Sequence, residues 1–110
     1  MCLSPSLTAG LAELARRYGA RRLVLFGSRA RGDNDPRSDI DLAVFGMPEA
    51  NRSAFWLGTE ELPTLLKFDI AHVSPGMDPA FLENIEKEGV TLYEQDEAKY
   101  KEGLSRMEEE

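Results

Sequence analysis

The sequence contains a single cysteine, no recognisable signal peptide and no apolar run long enough to cross a bilayer. Because Cys2 has no second cysteine to pair with, an internal disulfide is excluded, and we expect a cytoplasmic protein without membrane association. The 110 residues (12.3 kDa) contain no internal repeat and predict one domain. A chain of this size can bury ~65% of its unfolded surface, so it needs no disulfide or structural metal to fold.

The sequence is also short of basic residues, with 13 Lys and Arg against 20 Asp and Glu and a net charge of −7. This deficit argues against a protein that grips nucleic acid through its phosphates, so we expect no stable nucleic-acid binding. Residues 1–45 hold seven basic and five acidic side chains, whereas residues 46–110 hold six and fifteen. The acidic half would suit a basic partner protein.

The pattern of apolar residues and turn signals predicts a small α/β (α+β) fold. We expect one domain over residues 1–94 and a partly disordered acidic tail over residues 95–110. The second strand should lie beside the first in a small mixed sheet, with the helices packed mainly on one face. The predicted helices are 3–18, 49–61 and 79–87, and the predicted strands are 21–26, 40–45, 67–73 and 90–93.

A phosphate-binding turn is predicted directly after the first strand. Gly27 would let the backbone approach a phosphate closely, and Ser28 would open a short helix with free N–H groups and add a hydroxyl. We expect this turn at the carboxyl edge of the sheet, where ligands of open α/β sheets bind. Arg29 and Arg31 could contact phosphate or an acidic partner surface, or could be solvated on a surface helix.

A pair of aspartates follows the turn. Asp39 and Asp41 alternate along a strand, so both carboxylates should project to one side while Ile40 enters the core. Such oxygen ligands suit Mg²⁺, and two ions could bridge the carboxylates. Asp69, inside the apolar strand 67–73, is the candidate third carboxylate, which would also orient or deprotonate a nucleophile; the alternative is an acid on a solvated strand face.

The motif G-S-R-A-R-G-x5-S-D-I-D-L, followed by F-D-I on a later strand, resembles the minimal nucleotidyltransferase domain of the DNA polymerase β-like superfamily. The resemblance covers roughly residues 10–94 and implies the polymerase β-like fold. It also implies that Gly27 and Ser28 bind the triphosphate of a nucleotide. Asp39, Asp41 and Asp69 would hold the metal ions. Arg29, within the same motif, is included as a candidate nucleotide contact.

Small members of this family are often antitoxins paired with a HEPN-type ribonuclease toxin. The resemblance therefore implies a Mg²⁺-dependent enzyme that moves AMP from ATP to a hydroxyl, commonly that of tyrosine, on its cognate toxin. One alternative is an antitoxin that neutralises its partner by binding alone. Another is an aminoglycoside-like nucleotidyltransferase that modifies a small molecule.

Two aromatic side chains invite a functional interpretation. His72, the sole histidine, should lie on the strand face opposite Asp69, which favours a packed, hydrogen-bonded side chain over a catalytic base. Trp56 could stack on a base or face a partner, but on an amphipathic helix a core position is the default expectation.

Overall fold

The computed structural model describes residues 3–74 and 76–95. The predicted acidic tail lies outside the described residues except for Gln95. The elements in chain order are α1 (Pro5–Arg17), β1 (Arg22–Phe26), α2 (Ser28–Arg31), β2 (Ile40–Phe45), a 3₁₀ helix (Glu49–Asn51), α3 (Arg52–Glu60), β3 (Phe68–Val73), α4 (Pro79–Glu88) and β4 (Val90–Glu94).

Capping residues explain where two of the longer helices begin. The Ser4 Oγ accepts a hydrogen bond from the Leu7 N–H at 3.2 Å, and Pro5 occupies the first turn of α1. The Asp78 carboxylate accepts from the Ala80 N–H at 2.9 Å, again with proline in the first turn of α4. Each cap satisfies a backbone donor that has no partner within its helix and stabilises the protein by about 1 kcal/mol.

The four strands form one mixed sheet in the order β3-β2-β1-β4. Strand β1 is antiparallel to both β2 and β4, and β2 is parallel to β3, so the predicted pairing of the first two strands is confirmed. The carboxyl end of β1 therefore shares its edge of the sheet with the amino ends of β2, β3 and β4. The expected carboxyl-edge location of the turn holds for β1 alone, because the sheet is mixed rather than parallel.

The two faces of the sheet pack against different helices. Side chains of α1 and α3, including Leu11 and Phe55, fill a core with Leu23, Leu42 and other inward residues of β1 and β2. On the opposite face, α4 contributes Ile85 to a smaller cluster. This arrangement confirms the mixed α/β fold, with two of the three longer helices sharing one face.

The predicted helix 49–61 differs from the structure in one instructive way. Its first turn is a separate 3₁₀ helix, and in α3 Phe55 is fully buried whereas Trp56 is 51% exposed. The expected core position of Trp56 is therefore wrong. Consecutive helical residues point about 100° apart, so only one of these two rings can face the sheet.

Across residues 3–74 and 76–95, none of the helices combines the length and apolarity that crossing a membrane requires.

Candidate active site

The turn after β1 depends on a glycine conformation. Gly27 has φ 74° and ψ −157°, a backbone region that residues with a Cβ atom avoid. Its carbonyl accepts from the N–H groups of Ala30 at 3.1 Å and Arg31 at 3.2 Å, and Gly32, at φ 85°, ends α2. The chain therefore leaves β1, makes a single helical turn and heads back towards β2, which keeps Ser28 at the edge of the sheet.

Gly27 also makes room for a neighbouring carboxylate. Phe26 is paired with Asp41 across β1 and β2, which brings the Asp41 side chain beside the turn. A Cβ atom on residue 27 would overlap the Asp41 carboxylate and lie 3.3 Å from its Cγ. The sequence predicted a glycine that admits phosphate, but this second requirement depends on strand register and is visible only in the structure.

Two of the aspartates at this edge lie on adjacent parallel strands. Asp41 in β2 is the register partner of Asp69 in β3, and neighbouring strands are about 4.8 Å apart. Asp39 lies two positions before Asp41 and precedes the first residue of β2. Asp41 is partly buried, whereas Asp39 and Asp69 are exposed. The structure therefore brings the three predicted acids to one edge, beside Gly27 and Ser28.

The electrostatics of Asp41 reflect this proximity. Partial burial raises the pKa of its carboxyl above the ordinary 3.8, and the negative charges of Asp69 and then Asp39 raise that pKa further. The Arg31 guanidinium opposes the shift. Ionised carboxylates that repel one another are stabilised by a shared cation, so the local charge favours a divalent ion.

The ligand set fits magnesium in its usual mode of binding. Within residues 3–74 and 76–95, no three or more His, Cys, Asp or Glu side chains are gathered into a ready-made metal cage. Mg²⁺ commonly takes one or two carboxylates and completes its octahedron with water and substrate phosphates. Asp41 and its neighbours provide oxygen ligands at an open edge, where water or substrate phosphates can complete the coordination of the ion.

Arg29 lies in an environment that the sequence did not indicate. Its side chain is only 5% exposed, so the alternative of a solvated arginine is wrong. Its Nε–H donates to the Ser38 carbonyl at 3.1 Å, and Nη2 donates to the Pro36 carbonyl at 3.0 Å. The guanidinium therefore contacts the loop that leads to Asp39, a contact that no sequence motif announced.

His72 is packed, as predicted, but its hydrogen bonding differs. Among the described residues its buried Nδ1 has no hydrogen-bond partner, so the expectation of a hydrogen-bonded ring is wrong for this atom. Burial, and secondarily the positive charge of Arg52, lower the pKa of His72 below 6.5. Strand alternation places it on the face opposite Asp69.

Comparison with known proteins identifies the family of this chain. Residues 11–98 match the family described as "Polymerase beta, Nucleotidyltransferase". The match covers most of the chain, so the protein belongs to this family.

Two individual relatives show which members of the family this chain resembles. The chain is 39% identical over 62 residues to the protein adenylyltransferase MntA of Thermococcus cleftensis, a match that covers 56% of this chain and 50% of MntA. The chain thus spans about half the length of that relative. It is 32% identical to a structure assigned to a minimal nucleotidyltransferase, with a TM-score of 0.61 and coverage of 76% of this chain and 86% of the other.

A more distant structure shares the fold alone. A crystal structure of a toxin-antitoxin with AMP-PNP matches with a TM-score of 0.65 and 16% identity, covering 92% of this chain and 84% of that chain.

Proposed function

We propose that this protein is a Mg²⁺-dependent nucleotidyltransferase that moves AMP from ATP to a hydroxyl group. The observation that carries the proposal is the placement of Asp39, Asp41 and Asp69 at one edge of the sheet, beside the turn at Gly27, where the charges of Asp69 and Asp39 act on Asp41. Membership of the nucleotidyltransferase family supports the same reaction class.

In the proposed mechanism, Gly27 and Ser28 hold the phosphates of ATP through backbone N–H groups and the serine hydroxyl. Asp39, Asp41 and Asp69 would hold the magnesium ions. When bound, magnesium neutralises charge on the phosphates and on the departing pyrophosphate. Positioning and electrostatic stabilisation would supply most of the rate enhancement, as in other phosphoryl transfers.

The bonds that change are few. The acceptor oxygen forms a new bond to the α-phosphorus of ATP, and the bond from that phosphorus to the pyrophosphate oxygen breaks. Asp69 is the proposed acceptor of the hydroxyl proton, because it is exposed and lies on β3, which is an outer strand of the sheet. The products are the AMP ester of the acceptor and pyrophosphate.

We further propose that the acceptor belongs to a partner toxin, so that the protein acts as an antitoxin. Two findings support this: one relative is a protein adenylyltransferase, and toxin-antitoxin structures share the fold. The sequence resemblance adds the finer proposal of a HEPN-type toxin and a tyrosine hydroxyl. The open edge around Asp69 is compatible with a protein acceptor.

The test is AMP transfer to a copurified partner. The chain and its partner would be incubated with ATP labelled at the α-phosphate and with Mg²⁺, and the partner's mass and label measured. We expect one or more AMP groups on the partner, and none with the Asp39→Asn/Asp41→Asn double variant. If that variant still neutralises the toxin, the protein acts by binding alone. Absence of label on any partner would contradict the proposal.

A further inference from the structure

The burial of Arg29 requires an explanation beyond the predicted phosphate contact. Arg29 and Thr59 are the polar or charged side chains that are buried within the described part of the chain. A guanidinium removed from water is costly unless its N–H groups find acceptors. Arg29 lies on α2, next to the Gly27–Ser28 turn. The groups that accept its hydrogen bonds are therefore held close to the site.

Two hydrogen bonds of Arg29 are to backbone carbonyls of one short loop, residues 33–38. The distances are 3.1 Å from Nε to the Ser38 oxygen and 3.0 Å from Nη2 to the Pro36 oxygen. The loop is also closed on itself. The Ser38 N–H donates to the Asp35 carbonyl at 3.0 Å, and the Asp35 N–H donates to the Ser38 Oγ at 3.1 Å.

Asp39 therefore lies between two backbone anchors. On one side, the Ser38 carbonyl is held by Arg29, which belongs to the helix of the phosphate turn. On the other side, the Ile40 N–H donates to the Lys67 carbonyl at 2.9 Å, at the start of the strand that carries Asp69. The anchors connect the turn, Asp39 and Asp69.

We infer that Arg29 is a positioning residue that fixes the Asp39 carboxylate relative to the Gly27–Ser28 turn and so assembles the metal-binding edge. Its effect on AMP transfer rests on the proposed function. Lysine cannot replace it, because a single ammonium cannot reproduce the planar fork that reaches two carbonyls. An apolar side chain of similar length would leave the same carbonyls without donors.

The experiment compares Arg29→Lys with Arg37→Lys. The control makes the same chemical change at an exposed arginine of the same loop. Three quantities are measured on the full chain: amide hydrogen exchange in residues 35–40, Mn²⁺ binding followed by the electron paramagnetic resonance of free Mn²⁺ without nucleotide, and kcat and KM for AMP transfer. Circular dichroism establishes that each variant is folded at the assay temperature.

We expect Arg29→Lys to speed exchange at Ser38 and Ile40 and to weaken Mn²⁺ binding roughly tenfold, the scale of one lost charge-assisted hydrogen bond. The kcat should fall with the metal affinity, whereas Arg37→Lys should resemble the wild type. Val44→Ala, a core change near the end of β2 that lies away from the loop, controls for lost stability. It should lower the melting temperature without changing Mn²⁺ binding.

A second variant keeps the inference testable if Arg29→Lys does not fold. Ser38→Ala removes the hydroxyl that accepts from the Asp35 N–H and loosens the same loop without touching the core. It should also speed exchange and weaken Mn²⁺ binding, by less than Arg29→Lys.

The outcomes separate this inference from the proposed function. Equal exchange and equal Mn²⁺ binding in Arg29→Lys and Arg37→Lys would overturn the positioning role, even if the wild type transfers AMP. A wild type that binds no Mn²⁺ would overturn it as well. If the wild type transfers no AMP but Arg29→Lys still loosens the loop and weakens Mn²⁺ binding, the positioning role stands and the proposed function fails.

Discussion

The face of the sheet that α1 and α3 cover is filled with apolar side chains, whereas the face that α4 covers has a smaller apolar cluster. Strand β2 contributes to both. Leu42 points into the larger core, while Asp41 alternates to the side of Ala43, which belongs to the α4 cluster. Asp39 directly precedes β2, and its charge acts on Asp41.

We infer from this difference that the core-facing residues of β2 stabilise the fold, whereas Asp41 on the other face serves the site. The larger core provides most of the hydrophobic stabilisation, because burial of apolar area is the main favourable contribution to folding. The face that α4 covers has fewer apolar side chains, and Asp41 lies on this face although neighbouring carboxylates repel it. Changes at adjacent residues of β2 should therefore affect different properties, and the following predictions test that separation.

The largest expected effect is the loss of stability in Leu42→Ala. Leu42 is fully buried between Leu25 and Ile70 of the neighbouring strands. Its truncation should lower the free energy of unfolding by about 2–5 kcal/mol. Ile85→Ala on the α4 face should cost less, because the smaller cluster can collapse around the lost atoms. Urea titration of both variants measures the difference, and a larger loss for Ile85→Ala would contradict the comparison.

Asp41→Asn should reduce activity without reducing stability. Loss of about 3 kcal/mol of transition-state stabilisation would lower AMP transfer roughly 10²-fold, measured as kcat/KM with labelled ATP. Glu83→Gln, the same carboxyl-to-amide change on the exposed surface of α4, is the control and should keep full activity. Unchanged transfer by Asp41→Asn would refute the assigned role of this residue.

The same variant should be more stable than the wild type at neutral pH without metal. Burial and the charges of Asp69 and Asp39 raise the Asp41 pKa above 3.8, so folding disfavours its ionised form. This unfavourable contribution is absent below the unfolded pKa and grows as the pH rises through the folded pKa. Melting temperatures measured between pH 3 and 8 should therefore diverge as the pH rises from the unfolded pKa through the folded pKa, and should stay apart above it. Parallel curves would contradict the electrostatic picture.

Gly27→Ala should combine backbone strain with a local overlap. Alanine at the positive φ of residue 27 would lower the free energy of unfolding by roughly 1–3 kcal/mol, and its Cβ would displace the Asp41 carboxylate. Gly32→Ala is the matched control, because Gly32 also has positive φ, at 85°, but a Cβ there would meet no atom within 4 Å. We expect both to lose stability and only Gly27→Ala to lose Mn²⁺ binding. Equal Mn²⁺ binding in the two variants would exclude the overlap.

The strands and the acidic residues were predictable because they follow local rules. Apolar runs and turn residues indicated the elements, and the spacing of Asp39 and Asp41 predicted that both would project to one side. The structure confirms the strand 40–45 to the residue. These features depend on residues close together in the sequence.

Features set by distant contacts were not predictable in the same way. The buried contacts of Arg29 depend on where the loop 33–38 returns, and the second role of Gly27 depends on the register between β1 and β2. Trp56 was assigned to the core because hydrophobic pattern alone does not decide which of two adjacent aromatic residues faces the sheet. A single sequence carries little information about such tertiary choices.

The smallest expected effect concerns His72, on the side of the sheet away from the acids. Burial and Arg52 lower its pKa below 6.5, so folding favours the neutral ring, and the stability that this provides is present above the unfolded pKa. It should be lost as the pH falls from about 6.5 towards the lowered pKa, since the unfolded chain binds the proton first. His72→Gln should remove this dependence, so its melting temperature should fall less than that of the wild type between pH 7 and 5. Both proteins keep the same carboxyl groups, so titration of the acids cancels from the difference between the two curves. An unchanged slope would mean that the His72 ring reaches solvent in the folded protein, and that the larger core is less tightly closed at β3 than at β1 and β2.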